Sequence, residues 1–484
     1  MNIIKKLAIG ALALISTASS WATTTIYIVG SNGDRQATQQ AIANRLSAGT
    51  YAGPFTAPNV AAGDWTFRGN KGNADRTNGT ITGISNVTGS NYGSWHGYLG
   101  NNEVVIKTSF IGAAGAVAAV AAADQVNDPS AKVRFPISGG ITGTVIDIYR
   151  TSPVPVQGTD YELANASFGF STNFQATTPY NGTFNGYTYN PLTEVTVGIS
   201  PLLFLASPGF PAGQNLTTQL AQLLYSTGSL SLAQFTGDWT NDAHKYVYAI
   251  GRNTDAGQRY GAYAEFGLGA QAIVKQYQPG AFTTPATTTG GVTSGGVIGS
   301  QALWPAETIS GVSSPVGSGG FVTGANLAPY LTVTLGSDAY RNAYTYLDED
   351  NNTQTAYGKS DAVAGYYLGY VTPGDALPSV LGVDSSNTPT GNIPSQNRGV
   401  ILKWNGVDYD FAGANVKSGK YTAWVYNRII KRQSPALAGD VNTLYNQLLT
   451  EISTVTATTG GAGLIDDATV KVKKTVDGGL VTPK

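Results

Sequence analysis

The chain has 484 residues, enough for two or three domains with substantial cores. Charged residues make up only 12% of it while Gly (61) and Tyr (27) are abundant, and 28 basic against 29 acidic residues exclude the concentrated positive charge of a nucleic-acid binder. Cysteine is absent, which excludes a disulfide framework, a thiolate metal site, a cysteine nucleophile and a lipid-anchoring cysteine.

The chain starts MNIIKKLAIGALALISTASSWA: Lys5 and Lys6, an apolar stretch from Leu7 to Ile15, then small residues ending Ser20-Trp21-Ala22. A charged start, a core too short to span a bilayer and a small-residue cut site describe a secretory signal peptide over 1–22. The expected mature chain begins near Thr23 and, without the two lysines, carries 26 basic against 29 acidic residues. Its expected location is the periplasm, the cell surface or the medium, and after cleavage it does not span a membrane.

The mature sequence opens with a β-type run, Ile26 to Val29, a turn Gly30-Ser31-Asn32-Gly33, and a helix with Ala37, Ile42 and Leu46 at helical spacing. Val104 to Lys107, a polar turn and the alanine run FIGAAGAVAAVAAA (110–123) form a second such unit; the run is too short for a membrane and predicts a buried helix. Between and after these units, 51–102 and 130–190 are rich in Gly, Asn, Thr and Tyr and predict β-hairpins and loops. LTEVTVGISPLLFLA (192–206) is strand-like, and in 215–228 Leu216, Leu220, Leu223 and Leu224 share one helical face behind the cap Thr217. Tyr246 to Ile250 is the next strand, followed by the loop GRNTDAGQR and a helix, an arrangement that points backbone N–H groups at an anion. The low-complexity TTPATTTGGVTSGGVIGS (283–300) predicts a mobile loop or hairpin tip. Strands alternating with helices give an α/β protein whose strand ends converge on a site.

Other chemistry is sparse. His96 and His244 have no partner at metal-ligand spacing and read as surface or structural residues. LDEDNN (347–352) offers oxygen ligands for calcium but lacks the glycine and terminal glutamate of an EF-hand loop, so it reads as a solvated turn. GxSxG, HExxH and P-loop patterns are missing; the chain reads as a non-enzyme without a cofactor.

Four ordered segments carry a resemblance: IYIVGSNG with its helix; SFIGAAGAVAAV; LTTQLAQLLYSTGSLSLAQFTGDWTND with VYAIGRNTDAGQR; and KWNGVDYDFAGANVKSGKYTAWVYNRII. Together they resemble the substrate-binding subunit of phosphate ABC transporters, within the type II periplasmic binding proteins. The resemblance implies a two-lobed type II periplasmic-binding-protein-like α/β fold with β-rich insertions, closing over a ligand like a hinge. It sets lobe I at 23–206, interrupted by insertions 51–102 and 130–190; lobe II at 207–350, with the loop 283–300; a return to lobe I at 351–450; and a tail at 451–484.

It also implies a small phosphate-like oxyanion as ligand and an ABC permease as partner. In such proteins the arginine loop and two further turns grip phosphate oxygens. The matching candidates here are Ser31 and Asn32 in the first turn, Gly112 and Gly115 in the second, Ser200 near GISPL, and Arg252, Asp255, Gly257, Gln258 and Arg259 in the arginine loop. Ala256 and Gln258 replace a serine and a threonine of the family pattern, Ala113 and Ala114 stand where a hydroxyl is expected, and Pro201 takes the place of an aspartate. Each missing charge-assisted hydrogen bond weakens anion binding by roughly 1.5 to 3 kcal/mol. Two readings of the candidates stay open. In one, Arg252 and its neighbours hold an oxyanion. In the other, Arg252 only caps the lobe interface, Arg259 lies on the exposed face of its helix, and a secreted surface or assembly protein has kept the fold and lost the ligand.

Overall fold

The computed structural model describes residues 23–52, 61–125, 127–137, 145–150, 152–309, 312–336, 344–347, 352–356, 365–459 and 464–484. The expected signal peptide and most of LDEDNN lie outside the described residues.

The first lobe is built on β1 (Thr24–Val29). After the turn, α1 (Arg35–Ser47) runs back along the sheet and buries Ala41, Ile42 and Leu46. The first insertion supplies three meander strands, β2 (Trp65–Gly69), β3 (Gly72–Thr77) and β4 (Thr80–Thr82), then β5 (Tyr92–Leu99) leads into β6 (Asn102–Ser109). β6 lies parallel to β1, with Thr24 opposite Val104. The alanine run forms α2 (Ala113–Ala121), buried at every position, because methyl side chains let it sit close to the sheet. β7 (Phe168–Ser171) flanks β1 on the other side, and β8 (Leu192–Pro201) closes this part of the chain.

At Leu202 the chain leaves for a second sheet. β9 (Leu203–Ala206), the capped helix α3 (Thr218–Thr227), β10 (Ser229–Ser231), β11 (Tyr246–Ala249), α4 (Gly257–Glu265), β12 (Gly365–Val371) and β13 (Val400–Ile401) make up the frame of the second lobe. Its five strands run in the order β10-β11-β12-β9-β13. Thr217 caps α3 by accepting from the Leu220 N–H at 3.1 Å; of the leucines expected on one face, Leu224 is buried and Leu223 is 42% exposed, while Leu216 precedes the helix. The Gly/Thr-rich stretch is a hairpin in which Thr287–Thr289 pairs with Val292–Ser294 around Gly290 and Gly291.

β14 (Trp424–Arg432) carries the chain back and α5 (Gly439–Thr459) packs beside α1. β14 pairs antiparallel with β8 from Leu192↔Arg432 to Pro201↔Trp424, with a bulge between Thr196 and Gly198. The nine strands of the first sheet are ordered β8-β14-β7-β1-β6-β5-β2-β3-β4. Within the 351–450 stretch expected to return to lobe I, β12 and β13 belong to the second sheet, and the return itself is made by β14. Two strands, β8 running into β9 and β14, are thus the crossings between lobes. The segment 464–484 lies across them. Ile465 exchanges backbone hydrogen bonds with Ile199, Asp477 accepts from Asn173 Nδ2 and the Phe174 N–H, and Lys474 Nζ pairs with Glu265 at the end of α4.

Candidate functional site

Three loop-to-helix junctions converge between the lobes: residues 30–34 ahead of α1, 110–112 ahead of α2, and 250–256 ahead of α4. They meet by direct contact. The Asp255 carbonyl accepts from the Ala114 N–H at 3.2 Å, so a lobe II backbone group serves a free N–H in the first turn of α2. Gly112 makes this approach with φ of +109°, and a Cβ there would lie 2.3 Å from the Asp255 carbonyl oxygen. At Gly257 a Cβ would lie 2.1 Å from Thr172 Oγ1 and 2.5 Å from the Ala113 Cβ. The start of α4 is therefore seated on lobe I, and the space left between the lobes is divided into two chambers.

The first chamber, about 440 Å³, is polar. Lobe I contributes Asn32, Arg35 and Lys71, and lobe II contributes Arg252, Gln258 and Asp375. Asn32, Gly33, Arg35 and Gln36 belong to the N-terminal end of α1, where the helix dipole is positive. The N-cap Asp34 makes no capping bond, because its Oδ1 accepts instead from Asn427 Nδ2 in the buried interior. Arg35 is steadied by Nε donating to the Thr88 carbonyl at 3.2 Å and by a bond to Asn91 Oδ1. Lys71 is exposed at the mouth.

Arg252 is fixed by Nε donating to the Phe321 carbonyl (3.1 Å), Nη2 to the Val322 carbonyl (2.8 Å) and Nη1 to Gln258 Oε1. Three of its five donors are used, which leaves two N–H groups. Burial pushes the guanidinium down to about 10, against the pull of Asp375 and Tyr370. Burial likewise raises the Asp375 carboxyl above its usual range, while Arg252, Gln258 and Arg35 draw it back. Three cations thus face one carboxylate.

The second chamber, about 430 Å³, is walled by Phe110, Ile111, Val133, Tyr149, Leu163 and Val322. Its polar groups include Asn32, Asn253, Asp255, Lys132 and Arg134, and Gly112 and Gly115 form part of its floor.

Of the candidates read from the sequence, Asn32, Arg252 and Gln258 meet in the polar chamber, and Gly112, Gly115 and Asp255 in the apolar one. Ser31 braces its own turn, Oγ accepting from the Gly33 N–H at 3.0 Å. Gly257 stands at the lobe contact. Ser200 lies in β8, its Oγ donating to Asn427 Oδ1 at 2.7 Å within a buried network that reaches Asp34. Burial lifts Asp34 to about 7, against hydrogen bonds from Asn427 and Ser31 and the charge of Arg428.

Arg259, read either as an anion contact or as a residue on the exposed face of its helix, is buried and lines neither chamber. Its Nη1 donates to the carbonyls of Arg252 (2.9 Å) and Ser318 (2.7 Å), and its guanidinium lies 4.7 Å from the Tyr263 ring centre. It supports the backbone behind Arg252. Sequence reasoning missed Arg35, Lys71 and Asp375. The pattern GDR at the start of α1 signals one of them, since an arginine in a first helical turn repels the dipole unless an anion is near. His96 pairs with Glu103 at 2.6 Å, and no cluster of metal-ligating side chains occurs among the described residues. No helix among them is long and apolar enough to cross a membrane.

No protein family and no curated protein matches the chain. Solved structures similar to it include the following three. A candidate phosphate ABC transporter substrate-binding protein from Clostridium perfringens, solved with bound phosphate, is 9% identical over 92% of this chain and 99% of its own, with a TM-score of 0.38. A possible phosphate binding protein from Planctomyces limnophilus is 10% identical over 92% of this chain and 93% of its own, with a TM-score of 0.35. An ABC-type phosphate transport receptor from Vibrio cholerae is 11% identical over 62% of this chain and 80% of its own, with a TM-score of 0.31. At such scores nothing about the ligand follows from them.

Proposed function

We propose that the protein is an exported solute-binding protein that captures a small oxyanion, phosphate-like in charge, in the polar chamber between its lobes, for delivery to an ABC permease. One observation carries this reading: Arg35, Lys71 and Arg252 surround the N-terminal end of α1 with a single acid, Asp375, opposed to them. Arg252 and Arg35 are the principal contacts. Gln258 and Asn32 supply neutral donors, and Lys71 at the mouth draws the anion in. Calorimetry on the mature chain with sulfate and phosphate tests it. Binding below about 1 mM is expected, with Arg252→Met and Arg35→Met each weakening it at least about tenfold, the scale of one lost charge-assisted bond. No heat with either ion at millimolar concentration ends this reading.

The sealed junction favours a second reading. The Ala114 N–H takes the Asp255 carbonyl in place of a ligand oxygen. On this reading the fold is kept, the ligand is lost, and the β-rich insertions serve a surface or assembly role. Native mass spectrometry separates the two: an anion retained on a monomer supports the first, an anion-free oligomer the second.

A further inference from the structure

We propose that the natural solute is an organic anion, with its charged head among Arg35, Lys71 and Arg252 and an apolar or aromatic body in the second chamber. This rests on the anion reading above. The two chambers adjoin, since Asn32, Asn91 and Thr323 line both. An inorganic ion in the polar chamber leaves the other, about 430 Å³, to water. Lys132, Arg134 and Asp255 border that chamber too, but most of its surface, including Phe110, Ile111 and Val133, is apolar, and a cavity of that character gains by taking up an apolar group.

The rim points the same way. Val322 is 66% exposed, Tyr149 42% and Leu163 41%, so three large apolar side chains gather around one opening. The ligand class is therefore a monoester or other monosubstituted oxyanion of an aryl or short alkyl alcohol.

The test is calorimetry on the mature protein at pH 8, where inorganic phosphate and phenyl phosphate are both dianions. Phenyl phosphate is expected to bind at least about tenfold tighter, the effect of burying part of a ring. In Leu163→Gln, an exposed β-strand position, the ratio of the two affinities is expected to fall about threefold. If inorganic phosphate binds and phenyl phosphate binds no tighter, the organic-anion inference is overturned while the oxyanion reading stands. If the ratio is unchanged in Leu163→Gln, the second chamber does not hold the ring and the inference is likewise overturned. If neither anion binds, the reading beneath it fails as well.

Discussion

Asp375→Asn is the most informative change in the polar chamber. It removes the one acid facing Arg35, Lys71 and Arg252 while keeping the side chain's volume and its ability to meet Gln258. Unit charges about 6 Å apart interact by roughly 0.7 kcal/mol in bulk water and about 3 kcal/mol at an effective dielectric near 20. The chamber opens to solvent and Asp375 is only half-buried, so the lower figure applies, doubled for a dianion. That is about 1.4 kcal/mol, or tenfold.

Sulfate is the ligand of choice, because its charge is constant across the pH range used. Titration calorimetry at pH 7.5 is expected to show about tenfold tighter sulfate binding by Asp375→Asn. The pH dependence has a definite sign. Burial raises the Asp375 pKa, so lowering the pH discharges it and strengthens sulfate binding by the wild type, and the advantage of the variant shrinks as that happens. Equal affinities at pH 7.5, or weaker binding by the variant, would refute the placement of the anion beside Asp375.

Asp34, buried and lifted to about 7, favours its neutral form in the folded protein. Stability should therefore decline as pH rises from about 4 to 7, and Asp34→Asn should escape that decline by roughly 3 to 4 kcal/mol in urea denaturation, one pKa unit being about 1.4 kcal/mol. Lys474→Met strands the buried Glu265 carboxylate beside the carbonyls of Thr422 and Trp424, for an expected loss of about 3 to 5 kcal/mol. The double change with Glu265→Leu should recover most of it, and a single-variant loss under about 1 kcal/mol contradicts a structural role for the pair.

The framework was legible in the sequence where chemistry is local. The turn Gly30 to Gly33, the alanine run and the Thr217 cap announce α1, α2 and α3 because backbone freedom, small side chains and a capping hydroxyl act within a few residues. Arg252 and Gln258 were found through the loop that joins β11 to α4. Arg35, Lys71 and Asp375 were not, since they come from three distant segments that only the pairing of β2 and β5 and the closure of the lobes bring together. The buried, bracing place of Arg259 was not legible, because its partners are the backbone carbonyls of Arg252 and Ser318, which leave no side-chain pattern to read. Nothing in GYYLGYV says which sheet receives it, as every residue of β12 is buried; the structure pairs it into the second sheet.

The two crossing strands impose an order on assembly. β8 sits at the edge of the first sheet, and its neighbour β14 arrives 227 residues later, as the Ser200 to Asn427 bond measures. The second sheet and its core are built from described residues between them, so that lobe can condense while the first lobe still lacks the strand between β8 and β7. Closing so long a loop is slow, and until it happens β7 and β8 present open edges to other chains. A chain truncated before Trp424 should therefore yield a folded second lobe and an aggregation-prone first one. The segment 464–484, which bonds to both β8 and the end of α4, can bind only after both halves are in place.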